Sequence, residues 1–203
     1  LGNESFRWLT GKEISVAGVP TRALRVSYVG ELGWELHAPM DQLAGLYQAV
    51  WAAGEPLGIA DLGVYAVNSM RMEKAYRGWG TELTNEITPL EAGLERLVAF
   101  DKGDFVGKEA CLAVRDRGCA IKLVYLEVDA QDADVRGGEA VFADGRVVGV
   151  TTSGAYGHAL RRSLAFAYVP PEMTAAGTAF EVQLLDQRCP ARVLAEAAYD
   201  PQN

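Results

Sequence analysis

The sequence is poor in the residues that usually announce chemistry: its 203 residues include 2 histidines and 3 cysteines. Cys111, Cys119 and Cys189 are odd in number and show no CxxC spacing. Neither a disulfide framework nor a zinc ribbon is suggested, which fits a reducing compartment. Positive charge is also short, with 19 Lys and Arg against 27 Asp and Glu for a net charge of -8. The basic residues are scattered among acidic ones, so no cationic face is expected for nucleic acid or an anionic membrane. No stretch approaches ~20 uninterrupted apolar residues, so no membrane span is predicted. The first fifteen residues carry Asn3, Glu4, Arg7, Lys12 and Glu13, which no signal peptide would. A P-loop, a GxGxxG turn between strand and helix, HExxH and a nucleophile elbow are all missing. A small molecule or another protein is the expected partner.

What is present is a core. Apolar residues make up 49% of the chain and charged residues 23%, the balance of a globular protein. "RALRVSYV", residues 22–29, reads as a half-buried strand, and "GELG" as a short hairpin turn into a second strand, "WELHA". Asp41 is placed to cap a helix whose apolar stripe is Leu43, Leu46, Tyr47, Val50 and Trp51. Asp61 is placed to cap a second helix through "LGVYAVNSMRMEKAY", stopped by Gly78 and Gly80. A strand is expected over 94–100 and a helix over about 107–116. From about residue 120 short β-rich runs separated by turn residues, notably Asp144-Gly145, predict a small sandwich or barrel. The fold class is therefore α+β, an α+β part followed by an all-β module.

Three constellations could carry chemistry. Tyr28 and Glu35, seven residues apart, are expected on neighbouring strands. A carboxylate there can accept two parallel hydrogen bonds from a 2-amino-4-oxo heterocycle while an aromatic stacks on its ring. The residues alone leave open a solvent-facing glutamate beside a core tyrosine. Arg71, Lys74 and Arg77 could gather positive charge for an anionic substrate tail, or pair with Glu73 and Glu82 on a solvated surface. His158, Arg161 and Arg162 cluster in a glycine-bearing loop, suited to binding, an interface or simple solvation.

Together, "SYVGELGWEL", "AVNSMRMEKAYRGWGTELTNEITPLEAGL" and "FDKGDFVGKEA" resemble, in order and spacing, the folate-dependent aminomethyltransferase family of the glycine cleavage T-protein. The wording is most similar to the folate-binding C-terminal region of dimethylglycine dehydrogenase, sarcosine dehydrogenase and dimethylglycine oxidase. Val67 stands where the T-protein branch carries an arginine, and Asp104 where related iron–sulfur-assembly proteins carry a cysteine. The resemblance implies that Glu35 hydrogen-bonds the pterin of tetrahydrofolate, that Tyr28 lines the same pocket, and that Arg71 helps to shape it or meets the glutamyl tail.

The resemblance also implies an architecture: residues 1–103 as the C-terminal part of the folate-binding α+β domain, and 104–203 as the family's small antiparallel β-barrel. Leu1 lies a short way upstream of the hairpin, so the chain is read as a C-terminal piece that lacks the family's catalytic aspartate. The missing N-terminal half would be a partner, and a face it leaves open could drive self-association. Tetrahydrofolate is the expected cofactor and a methylated amine the other small-molecule partner; FAD would belong to an upstream domain. The compartment would be cytoplasmic in a bacterium and the mitochondrial matrix in a eukaryote. Two other readings stand beside this one: a non-catalytic scaffold that keeps the fold, and a folate-dependent sulfonium demethylase.

Overall fold

The structure is a computed structural model that describes residues 2–202. Its contacts divide the chain into two compact units, Leu1–Val67 and Asn68–Asn203.

Unit 1 is built on a three-stranded antiparallel sheet, β1 (Gly11–Val16), β2 (Val19–Leu24) and β3 (Glu35–His37), in that order. Ala17 and Gly18 join β1 to β2 with φ of 51° and 83°, the positive pair that a two-residue hairpin turn needs to match strand twist. The register pairs Leu24 with Glu35 and Arg22 with His37. Side chains alternate across a strand, so one face carries Thr21 and Ala23, which are 1% and 0% exposed, and the other carries Arg22, Leu24, Glu35 and His37.

The strand expected over 22–29 therefore ends at Leu24, and residues 25–34 form a long connection in place of a tight hairpin turn. Arg25, the next residue, is held by the segment before β1. Its amide donates to the Thr10 carbonyl at 2.9 Å, and its carbonyl accepts from the Leu9 amide at 3.1 Å. Its guanidinium donates to the Phe6 carbonyl and, at 2.5 Å, to Asn3 Oδ1. The backbone at Arg25 is thus engaged by the segment before β1, on the side of β2 away from β3. Tyr28 consequently lies in the connection and not on a strand.

Helix α1 (Leu43–Gly54) follows a 3-10 turn at Met40–Gln42 that absorbs Asp41, and its start has no side-chain cap. Of its apolar stripe only Leu46 is buried, while Leu43 and Tyr47 are exposed. Asp61 does not cap α2 (Val64–Glu73); its carboxylate accepts the Tyr47 hydroxyl at 2.9 and 3.0 Å.

Unit 2 contains the end of α2, a long irregular segment, α3 (Lys108–Arg117) and six strands. The strand expected over 94–100 is instead a 3-10 turn, Glu95–Leu97, closed by local bonds from Leu97 N to Leu94 O and from Val98 N to Glu95 O. The strands are β4 (Lys122–Val128), β5 (Ala140–Ala143), β6 (Arg146–Gly157), β7 (Arg162–Val169), β8 (Ala179–Leu184) and β9 (Gln187–Val193). They close an antiparallel barrel in the order β4-β7-β6-β5-β8-β9, the barrel that the resemblance implies and one of the two forms that the β-rich pattern left open.

Closure removes sheet edges and leaves an interior filled by side chains such as Leu126, Val141, Ala165, Ala167 and Val182. Strand β7 is buried on both faces: its outward Leu164 and Phe166 pack with Tyr125 and with Met72 of α2. That double burial explains why "SLAFAYV" reads as a continuous apolar run. At Gly154 an added Cβ would lie 2.6 Å from the Val135 carbonyl oxygen, so the close approach there requires glycine.

Candidate functional site

The open face of the unit 1 sheet is a polar surface made by strand alternation. Glu35 and His37 project from β3, with Glu35 Oε2 3.2 Å from His37 Nε2 and both side chains more than half exposed. Arg22 of β2, opposite His37, donates from Nε to Glu13 Oε1 of β1 at 2.7 Å. Glu13, Arg22 and His37 border a concavity of about 470 Å3, lined also by Pro20, Leu24, Ala38 and Pro39. A carboxylate here keeps one oxygen and most of its lone pairs for a ligand, because His37 uses only Oε2. Tyr28, in the connection that leads to β3, is 42% exposed. Beside Glu35, the Trp34 indole nitrogen is buried without a hydrogen-bond partner, and the ring stacks on the Arg25 guanidinium at 5.6 Å.

Arg71 has a different setting. It is 4% exposed, and its guanidinium donates from Nε and Nη2 to Asn68 Oδ1 at 2.8 and 2.7 Å, and from Nη1 to the Tyr76 carbonyl at 3.0 Å. It also reaches Glu82 Oε2 at 3.4 Å, an ion pair whose side chains are 5% and 0% exposed. Glu82 is the centre of this arrangement. Oε2 accepts from the Gly78 amide at 2.6 Å and the Thr81 hydroxyl at 3.0 Å; Oε1 accepts from Thr152 and Ser153 of β6 at 2.5 and 2.6 Å. The Arg71–Glu82 pair is therefore buried, and not on the solvated surface that the sequence left open. Glu82's role escaped the sequence reading, because its partners Thr152 and Ser153 are about seventy residues away and no local spacing marks them.

The other residues singled out also acquire partners within unit 2. Glu73 accepts the amides of Ala159 and Leu160 at 2.8 and 3.1 Å, tying the β6–β7 loop to α2. In that loop His158 meets Tyr156 edge to face at 5.1 Å, and Arg162 donates to Glu127, which also accepts from Arg192. Burial pushes the hydroxyls of Tyr125 and Tyr168 well above the usual phenol range, so both remain neutral donors, to the Met72 and Glu82 carbonyls respectively. Among the described residues no group of three or more His, Cys, Asp or Glu could hold a metal ion, and no helix is long and apolar enough to cross a membrane.

Comparison with known proteins places this geometry. Residues 1–102 match the family model described as the GCVT N-terminal domain, and residues 122–200 match the glycine cleavage T-protein C-terminal barrel domain. The chain is 43% identical over 197 residues to mitochondrial dimethylglycine dehydrogenase of Mus musculus, covering 97% of this chain and 23% of that protein. It is 35% identical to an aminomethyltransferase of Symbiobacterium thermophilum, covering 93% of this chain and 50% of the relative. The crystal structure of glycine cleavage system aminomethyltransferase T from Bartonella henselae superposes with a TM-score of 0.87 at 25% identity, over 99% of this chain and 55% of that one. The chain thus spans about a quarter of the dehydrogenase and about half of the aminomethyltransferases.

Proposed function

Because this chain belongs to the glycine cleavage T-protein family, with its barrel and its aminomethyltransferase-type fold, we propose that it is the tetrahydrofolate-binding portion of a protein that passes one-carbon units to folate. The observation that carries this reading is the open carboxylate of Glu35 on the exposed sheet face, within the motif "YVGELGWEL". The donor set suits a reduced pterin. The amide N–H and exocyclic amine of a 2-amino-4-oxo ring point the same way, and the two oxygens of one carboxylate accept them together. Tyr28 supplies an aromatic surface for the flat ring. Arg71, the third residue that the resemblance assigns to the site, has its donors engaged by Asn68, Tyr76 and Glu82, so its part in this reading is to hold its own segment in place and not to meet the glutamyl tail.

Reduced folate, when bound, supplies the nucleophilic nitrogens that accept the one-carbon unit. The contribution of these residues is positional: Glu35 orients the pterin and Tyr28 restricts its tilt, which lowers the entropy cost of bringing reactants together. His37, 3.2 Å from Glu35, holds one carboxylate oxygen in place. The similarity to dimethylglycine and sarcosine dehydrogenases favours a methylated amine as the source of the carbon. Titrating the purified full-length protein with folinic acid tests the reading. Saturable binding that Glu35→Gln weakens supports it. Unchanged affinity in that variant removes Glu35 from the site, and an absence of any binding favours a scaffold that has kept the fold without the ligand.

A further inference from the structure

The β6–β7 loop, with His158, Arg161 and Arg162 in or beside it, is tied down at one end of the barrel. Ser69 of α2 donates to the Tyr156 carbonyl at 2.7 Å, Glu73 accepts the amides of Ala159 and Leu160, and the Arg161 amide donates to the Gly157 carbonyl at 2.7 Å. Beside the loop lies a cavity of about 470 Å3, lined by Glu127, Asp129, Gln131, Tyr156, Arg161 and Arg162 among others. Ser163 pairs in register with Tyr156 on one side and with Val128 on the other, and Val128 belongs to the barrel interior. Register partners share a face of the sheet, so Tyr156 stands at the mouth of the barrel.

The charges around this cavity are unevenly paired. Glu127 Oε2 accepts from Arg162 at 3.1 Å and from Arg192 at 3.0 Å, so that carboxylate is spent on two guanidinium groups. Asp129 and Arg161, both exposed, form no ion pair among the described residues, with each other or with any other group. Among those residues the Asp129 carboxylate accepts only the Gln131 side-chain amide, at 3.0 Å, and the Arg161 guanidinium has no hydrogen-bond partner. Arg161 also has φ of 56°, in the left-handed region that glycine enters freely and a side chain does not. Loop geometry alone favours glycine there, so the arginine is present at a cost to the fold. Tyr156 is 36% exposed and meets His158 edge to face at 5.1 Å, which leaves an aromatic wall beside the two open charges.

We propose that this cavity binds a small zwitterion of the N-alkylated amino-acid class, its carboxylate on Arg161, its ammonium on Asp129 and its alkyl groups against Tyr156. A cation and an anion that line one cavity without reaching each other are matched by a ligand that carries both signs. A ligand of one sign completes one charge and leaves the other as it was. An alkylated ammonium is the cation that an aromatic wall attracts. A volume of about 470 Å3 falls in the range of small-molecule pockets, and barrel mouths are among the places where these occur. Both charges are exposed, so each contact contributes modestly and the site selects by charge pattern more than by tightness. The proposal does not depend on folate binding, since the cavity shares no lining residue with the concavity beside Glu35.

The test is calorimetric titration of the purified full-length protein with trimethylglycine and with its two charge-deleted isosteres: choline, which keeps the cation, and tert-butylacetate, which keeps the carboxylate. Trimethylglycine is expected to saturate, and each isostere to bind about fivefold more weakly, the loss of one exposed charge contact. Arg161→Gln and Asp129→Asn should each weaken trimethylglycine binding by a similar factor, and Tyr156→Leu by about threefold. Arg161→Gly separates binding from folding. It relieves the left-handed strain, so it should melt no lower than the parent and still lose affinity. Glu35→Gln, in unit 1, should bind trimethylglycine as the parent does. Absence of saturable binding, an isostere that binds as well as trimethylglycine, or affinity unaltered by the Arg161 and Asp129 substitutions would overturn the proposal. So would loss of trimethylglycine binding in Glu35→Gln, which would move the ligand to that residue.

Discussion

Glu35 and Glu82 are the same side chain in two regions with opposite settings. Glu35 stands on a three-residue strand, more than half exposed, with one oxygen near a histidine. Glu82 stands in an irregular loop, 0% exposed, with donors from an amide, three hydroxyls and a guanidinium around it. A carboxylate whose acceptor sites are all filled is a structural joint, here between the loop after α2 and strand β6. A carboxylate with sites left over is available to a ligand. Degree of satisfaction separates the two roles where residue type cannot.

The sharpest way to break the comparison is Glu82→Ala. Removing one partner of a buried, hydrogen-bonded ion pair leaves Arg71 uncompensated, and a loss of ~3–5 kcal/mol is expected in urea-induced unfolding. Loss of under about 1 kcal/mol would put Glu82 in the same class as an exposed pair. Glu35→Ala should do the reverse: folinic acid binding weakens by ~1–3 kcal/mol, while stability without ligand changes by less than about 0.5 kcal/mol. An equal effect on both readouts would erase the distinction. Tyr28→Leu comes next, with a smaller loss of ~0.5–1.5 kcal/mol in the same titration if the ring stacks on the pterin.

The smallest effect concerns a third carboxylate, intermediate between these two. Burial raises the Glu139 pKa, but hydrogen bonds from the Thr151 hydroxyl and from the amides of Arg136, Gly137 and Glu139 itself outweigh it, so the group titrates below its ordinary value of 4.5. A lowered folded-state pKa stabilises the fold at pH above the unfolded value, and that contribution disappears as pH falls below 4.5 through the folded value. Glu139→Gln should therefore lower the melting temperature at neutral pH and flatten the acid limb of the profile, the two proteins converging at low pH where Glu139 is protonated. An unaltered acid limb would show that the carboxylate is no better satisfied folded than unfolded.

The all-β module was legible in the sequence because its signals are local, although its closure into a barrel came from the family resemblance. Short β-rich runs, the Asp144-Gly145 turn and the doubly apolar "SLAFAYV" each report on a neighbourhood of a few residues, and all point the same way. Unit 1 was less legible for the same reason inverted. Arg25 is held by Phe6, Asn3 and Thr10, which no local spacing marks, and β1, with few apolar residues, depends on its partner strand to be a strand at all. The segment 94–100 has strand-like composition, yet it closes local 3-10 bonds.

By itself the sequence determined the α+β order, the all-β module, the family and the identity of Glu35 as the residue to ask about. These depend on period, turn chemistry and motif, which are properties of neighbours along the chain. Only the tertiary structure decided which charges are satisfied: that Glu82 is filled, that Arg71 is spent on it, that Lys74 is buried against a bare carbonyl, and that Glu35 faces outward through its register with Leu24. Hydrogen-bond satisfaction is a count over groups brought together from distant positions, and no stretch of sequence contains that count.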